Sequence, residues 1–172
     1  MVARRLLLAA AGPALLGSLL GSLLGGCGFA LRAEPELPFT RIALVGFAPR
    51  SPLATELRER LLARDVQVLE SPAQAEVVLR VLEDRREKSV VASTAAGQVR
   101  ELQLRVRLVF RIENAAGRPL AEAAELLLQR DMSTSERYAL AKQQEEAELY
   151  TAMQTDIVLQ VLRRLARATP GR

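Results

Sequence analysis

Few residues in this chain are equipped to do chemistry, and the most telling of them is its one cysteine. Cys27 stands directly after Gly25-Gly26, at the end of a leucine-rich run from Leu6 to Leu24 that is itself preceded by Arg4 and Arg5. A basic start, an apolar middle and small residues before a cut form a secretory signal, and a cysteine just past the cut makes it a lipobox. The glycine pair lets an extended backbone enter a peptidase cleft, and a thioether-linked lipid on Cys27 then holds the mature N-terminus in a membrane. The competing reading is a permanent transmembrane helix, since about 20 apolar residues span a bilayer. Gly12, Pro13, Gly17, Gly21, Gly25 and Gly26 make that stretch a poor helix. Gly28 and Phe29 follow the cysteine, with no Asp to retain the product in an inner membrane, so the expected destination is the outer membrane. The Arg4-Arg5 pair faintly resembles a twin-arginine signal, but ordinary Sec export fits the segment better.

The other candidate chemistry is a nucleophile with a base, Ser133 or Ser135 with Lys142. Histidine is absent, which removes the commonest general base and metal ligand, and a lipidated Cys27 leaves no thiol for catalysis or disulfides. Nothing in the sequence orients a serine–lysine dyad. The expectation is therefore a non-enzymatic protein without cofactor or metal, whose fold rests on packing alone. Cleavage before Cys27 leaves 146 residues, 22 basic and 20 acidic, so the net charge falls to +2. A nucleic-acid partner would require a more lopsided balance. The basic residues are arginines except for Lys88 and Lys142, and guanidinium suits bidentate contacts with phosphate and carboxylate.

The elements that must position these groups can be read in order. Residues 27–38 form a lipidated tether with two prolines, residues 39–168 a single domain, and residues 169–172 a frayed tail. Arg41 to Phe47 is an apolar run bounded by prolines and reads as a strand. Ser51-Pro52 opens a helix with Leu53, Leu57 and Leu61 on one face and a Glu56–Arg60 pair on the other. Val66 to Leu69 is a short strand. From Val77 a long strand runs through the charges of Glu83 to Lys88, bulged there, into Val90 and Val91, and Ala95-Ala96-Gly97 turns the chain.

The strand that follows carries the clearest pattern. Leu102, Leu104, Val106, Leu108, Phe110 and Ile112 alternate with Glu101, Gln103, Arg105, Arg107, Val109, Arg111 and Glu113, giving one core face and one polar face. The composition of Ala121 to Gln129 favours a helix, but the hairpin turn at Gly117 and Pro119 and the need for a neighbour to the preceding strand point to a strand. Ser133 and Glu136 fit a capping box and start a helix of roughly 30 residues, with Tyr150, Met153, Ile157, Val158, Val161, Leu162 and Leu165 on its apolar face.

Several of these features together resemble the LptE family, the lipoprotein partner of the outer-membrane lipopolysaccharide translocon. They are Cys27-Gly28-Phe29-Ala30-Leu31-Arg32, the segment Gly97 to Leu104, Arg130 after the last strand, and Tyr138-Ala139-Leu140-Ala141-Lys142 followed by Gln143, Gln144, Glu145 and Glu146. The resemblance implies an α+β two-layer sandwich, two helices packed on one face of a roughly four-stranded, mixed and largely antiparallel sheet. It also implies a lipid-anchored protein on the periplasmic side of the outer membrane, seated as a plug in an LptD-like β-barrel and binding lipopolysaccharide.

In that family, contact with lipopolysaccharide is attributed to basic residues at the sheet hairpin and ahead of the long helix. Lys142 matches the second position. The hairpin here carries Ala95-Ala96-Gly97 in place of a cation, with Arg100 and Arg85 nearby to compensate. Alternation places Arg105, Arg107 and Arg111 in one row, which is either a solvated face or a row of donors for barrel carboxylates or lipid A phosphates. The alternative function is an auxiliary periplasmic lipoprotein of another envelope complex, a transport accessory or a cell-wall synthase activator.

Overall fold

The computed structural model describes residues 36–169. The signal sequence, Cys27 and nearly all of the expected tether lie outside the described residues, as does the end of the chain. The elements in order are β1 (Arg41–Val45), α1 (Pro52–Leu62), β2 (Gln67–Leu69), β3 (Val77–Ser93), β4 (Val99–Glu113), β5 (Ala124–Ser133) and α2 (Ala139–Leu165). Pro72–Gln74 and Glu136–Tyr138 form single 3-10 turns.

The strands make one sheet in the order β2-β1-β3-β4-β5. β1 is parallel to both β2 and β3, whereas β3, β4 and β5 run antiparallel as a meander. The count is five strands against the four expected from the resemblance. All five match runs read as strands in the sequence, and β2, read there at Val66 to Leu69, is only three residues long and joins β1 at Gln67 to Leu69.

β4 keeps its expected alternation: Leu104, Val106, Leu108, Phe110 and Ile112 are all buried on the face that meets the helices. Leu53, Leu57 and Leu61 of α1 and the seven predicted apolar residues of α2 from Tyr150 to Leu165 complete this core. Over β3, β4 and β5 no element of the described residues covers the polar face, called here the bare face. At its β1 end it is not, because Ala43, Ala75 and Val78 form a small second cluster.

The α1 start follows the sequence rule: Ser51 Oγ accepts from the N–H of Ala54 and Pro52 takes the first helical turn. The α2 start does not. Ser133 is the last residue of β5, opposite Glu101, and cannot cap a helix while paired in a ladder. The helix begins at Ala139 after the 3-10 turn, with no side-chain cap, and its 27 residues extend about 40 Å. β5 is a strand as predicted, displaced from 121–129 to 124–133. The N–H of Leu120 still bonds the carbonyl of Ile112 in the turn, and the core alternation of Leu126, Leu128 and Met132 begins only afterwards.

Two glycines fix the course of the chain. Gly46 has φ +85°, and a Cβ there would stand 2.2 Å from the carbonyl oxygen of Val81, so only glycine lets the chain leave β1 against β3. Gly97 takes φ +78° in the β3–β4 turn. β1 pairs with β3 only as far as Arg80, so beyond that point β3 runs on with β4 as its one partner strand.

Candidate functional site

The end of the meander farthest from β1 holds two of the residues marked for binding by the sequence, Lys142 and Arg100. The β3–β4 turn with the start of β4, the residues just after β5 and the first turn of α2 border an open cavity of about 570 Å³ lined by Ala96, Gly97, Gln98, Val99, Leu102, Thr134, Ser135, Ala139 and Lys142. Thr134 closes one side, its N–H bonding the carbonyl of Arg100 at 2.9 Å and its hydroxyl that of Val99 at 2.7 Å. Most of this lining is apolar and Lys142 is its one cation. Val90, Val91, Val99, Tyr138 and Leu140, at the same end, are exposed.

Lys142 Nζ donates to Glu145 Oε2 at 2.7 Å and to Ser133 Oγ at 3.1 Å. The structure thus brings Ser133 and Lys142 within hydrogen-bond distance, with the lysine also paired to Glu145. The described residues contain no group of side chains fit to hold a metal. Arg100 is exposed and, among the described residues, makes no side-chain hydrogen bond or ion pair, so its guanidinium is available beside the cavity.

The expected arginine row lies on the bare face, and each of its three members already has a polar partner. Arg107 bonds Glu125 at 2.8 Å and pairs with Glu83 at 3.3 Å. The Glu125 hydrogen bond, followed by the charges of Glu125 and Glu83, raises the Arg107 pKa above its ordinary value. Arg111 is 3.8 Å from Glu113, a carboxylate only 5% exposed that Arg80 holds at 2.6 Å. Arg105 donates to Gln103 at 2.7 Å, and Arg85 is shared between Glu83 and Glu87. The row is a guanidinium–carboxylate ladder: hydrophilic, close to neutral, and less free to capture phosphate than the sequence row alone implied.

A second cleft, about 510 Å³, lies on the helix side between β3 and α2, lined by Arg86, Lys88, Gln143, Glu146, Ala147 and Tyr150. The sequence marked none of these residues for binding, and Tyr150 only as part of the apolar face of the helix. Lys88 bonds both oxygens of Glu146 at 2.9 Å, and the Arg86 guanidinium lies 3.8 Å from the centre of the Tyr150 ring. Burial, more than the neighbouring charges, raises the Tyr150 pKa. The signal was present in the alternation of Arg86 and Lys88 with Arg85 and Glu87 across one strand, which puts the first two under the helix.

A family model for lipopolysaccharide assembly, LptE, matches residues 39–165. The chain belongs to the LptE family. Solved structures agree with this membership. The chain is 29% identical, with a TM-score of 0.67, to an uncharacterized lipoprotein B from Nitrosomonas europaea, covering 81% of this chain and 90% of that one. It is 25% identical to a minor lipoprotein from Acinetobacter baumannii (TM-score 0.59, 76% and 92% covered) and 25% identical to the rare lipoprotein B from Shewanella oneidensis (TM-score 0.58, 73% and 93%). Among curated protein sequences it has no significant match. No helix of the described residues is long and apolar enough to cross a membrane.

Proposed function

We infer that this LptE-family protein is a non-enzymatic lipoprotein of the outer membrane, anchored on its periplasmic side through a lipid on Cys27. In this reading it plugs and helps assemble an LptD-like β-barrel and assists delivery of lipopolysaccharide to the outer leaflet. The observation that carries it is the family match over residues 39–165, which spans the whole two-layer fold from β1 to the end of α2.

The bare face supports the plug reading on physical grounds. A barrel wide enough to pass a glycolipid has a polar, water-filled interior that leaks unless filled. A plug surface must then be hydrophilic without a large unbalanced charge, and the ladder of Arg80, Arg107 and Arg111 with Glu83, Glu113 and Glu125 has that character. Lipopolysaccharide would be met at the meander end. Lys142 and Arg100 supply cations there for phosphate, and the apolar cavity wall lies beside them. Arg105 is a further candidate contact, with Arg107 and Arg111 contributing only by exchanging a present carboxylate for a phosphate.

Affinity purification of the lipidated protein from outer membranes tests this reading. A large barrel that stays bound and compact on heating short of denaturation is the expected result. Recovery of an inner-membrane transporter or a cell-wall synthase, with no barrel, would replace it by the auxiliary-lipoprotein alternative.

A further inference from the structure

A β-sheet edge with unpaired backbone groups invites another strand, and proteins blunt such edges with short strands, charges or bulges. Two of the three open edges here are blunted. β2 is three residues long. The outer half of β3 carries Arg85, Arg86 and Lys88, is bulged at Val81/Glu83 and Val90/Ala92, and has the carbonyl of Glu87 taken by the Tyr150 hydroxyl. The third edge, β5, pairs with β4 over ten residues and with no other described strand, and its centre is Leu126-Leu127-Leu128 with no charge among them. Leu127 is 50% exposed.

The register shows what that edge fits. The N–H of Thr134 bonds the carbonyl of Arg100, and backbone groups alternate in direction along an antiparallel strand. Even-numbered residues of β5 therefore turn their N–H and C=O toward β4, and Glu125, Leu127, Gln129 and Asp131 turn theirs outward. In an antiparallel pair of identical strands, only registers that set odd residues opposite odd residues can bond. Centring the pair on Leu127 puts Leu127 opposite Leu127, Leu126 opposite Leu128, Glu125 opposite Gln129 and Ala124 opposite Arg130, with no like charges facing. Moving the centre to Leu128 sets Glu125 against Asp131 twice. Moving it to Gln129 sets Leu127 against Asp131 and separates the leucines.

We propose that the β5 edge is a docking surface for a second copy of this chain, paired antiparallel about a two-fold axis at Leu127 to make one continuous ten-stranded sheet. Cross-strand leucine pairs and the mutual backbone bonds of Leu127 hold it, and the N–H of the partner copy's Glu125 takes the Gln129 carbonyl by displacing the Arg130 guanidinium that bonds it at 2.9 Å in the single chain. A barrel lumen that holds one copy has no room for the second, so on the plug reading the pair is the form the chain takes before it is seated.

The test uses the full-length protein. Sedimentation should show a dimer whose population grows with concentration, and Leu127→Lys should leave only monomer while keeping the wild-type circular dichroism and melting temperature. Hydrogen-bonded antiparallel partners have Cα atoms about 5.5 Å apart, within disulfide reach, so Leu127→Cys should cross-link copy to copy on mild oxidation. Gln129→Cys should not, because its two copies stand four residues apart along the pair, about 13 Å. The unsubstituted chain, whose one cysteine is Cys27, is the blank. A monomer at every concentration into the millimolar range would overturn the proposal. So would cross-linking through Gln129→Cys in place of Leu127→Cys, or capture of a different protein by Leu127→Cys.

Discussion

Tyr150 donates its hydroxyl to the backbone carbonyl of Glu87 at 2.6 Å, tying the middle of α2 to the unpartnered side of β3. The ring is buried beneath Arg86, so the bond satisfies a carbonyl that a neighbouring strand would otherwise claim. Tyr150→Phe should cost about 0.5–1.5 kcal/mol, the net value of one hydrogen bond, read as a lowered denaturation midpoint at constant slope. The alkaline side gives a second readout. Burial raises the folded Tyr150 pKa above 10.0, so its contribution to stability is complete below pH 10 and lost as pH rises through the folded value. With Tyr138→Phe in the background, phenolate absorbance should rise with a midpoint above 10 and reach the ordinary value only after unfolding. An ordinary midpoint in the folded protein would show that the ring is not held under α2.

Acid should act through Glu76. The N–H of Thr40, then the Arg41 guanidinium, hold the Glu76 carboxylate and lower its pKa below 4.5. A carboxylate with a depressed folded pKa contributes stability above its unfolded value, and that contribution disappears as pH falls through the folded one. Wild type should therefore lose stability more steeply below pH 4.5 than Glu76→Gln does. Parallel curves for the two proteins would remove this latch from the account of acid stability.

Leu104 and Leu108 stand at 0% and 1% exposure in the middle of β4. Either residue changed to Ala should destabilise by about 2–5 kcal/mol through lost burial and an unfilled cavity. Arg107→Ala, on the opposite face, should change little in the isolated protein. Equal losses on both faces would mean that the bare face is a folding core rather than a surface.

Lys142→Glu should weaken binding of lipopolysaccharide while leaving the melting temperature near wild type, since the lysine lies at the cavity mouth and outside the core. The difference should shrink as salt screens the contact, and Arg100→Glu should add to it. Undiminished binding across a range of salt would return Lys142 to a purely local role with Glu145 and Ser133.

Cys27→Ala should abolish acyl labelling and leave a precursor larger by residues 1–26. A labelled, processed mutant would end the lipid-anchor reading.

The legible parts of this fold were those written in local periodicity. β4 alternated over its full length, the Ser51-Pro52 start of α1 obeyed capping rules, and β5 was a strand despite its Ala, Glu and Leu content because its neighbour required it. What stayed hidden depended on distance. The Ser133 cap failed because Ser133 had a better use opposite Glu101, a pairing set more than 30 residues away in the chain. Arg105, Arg107 and Arg111 did share a face, but the carboxylates that consume Arg107 come from β3 and β5. The cavity around Lys142 is assembled from three separate segments, of which sequence marked one cation and no wall. The second cleft required knowing that α2 crosses β3 at Tyr150.

The division of α2 matters for how that cavity behaves. Every buried residue of the helix lies from Tyr150 onward, and the turns from Ala139 to Leu149 rest over the meander end with none. Helical turns without a buried face are held by their own hydrogen bonds and here by the exposed contacts of Lys142 with Ser133 and Glu146 with Lys88. Amide protons of the first turns should therefore exchange with solvent far sooner than those near Met153 and Ile157, on one unbroken helix. Fraying of the turn that carries Lys142 would change the volume beside it and leave the buried half of α2 in place.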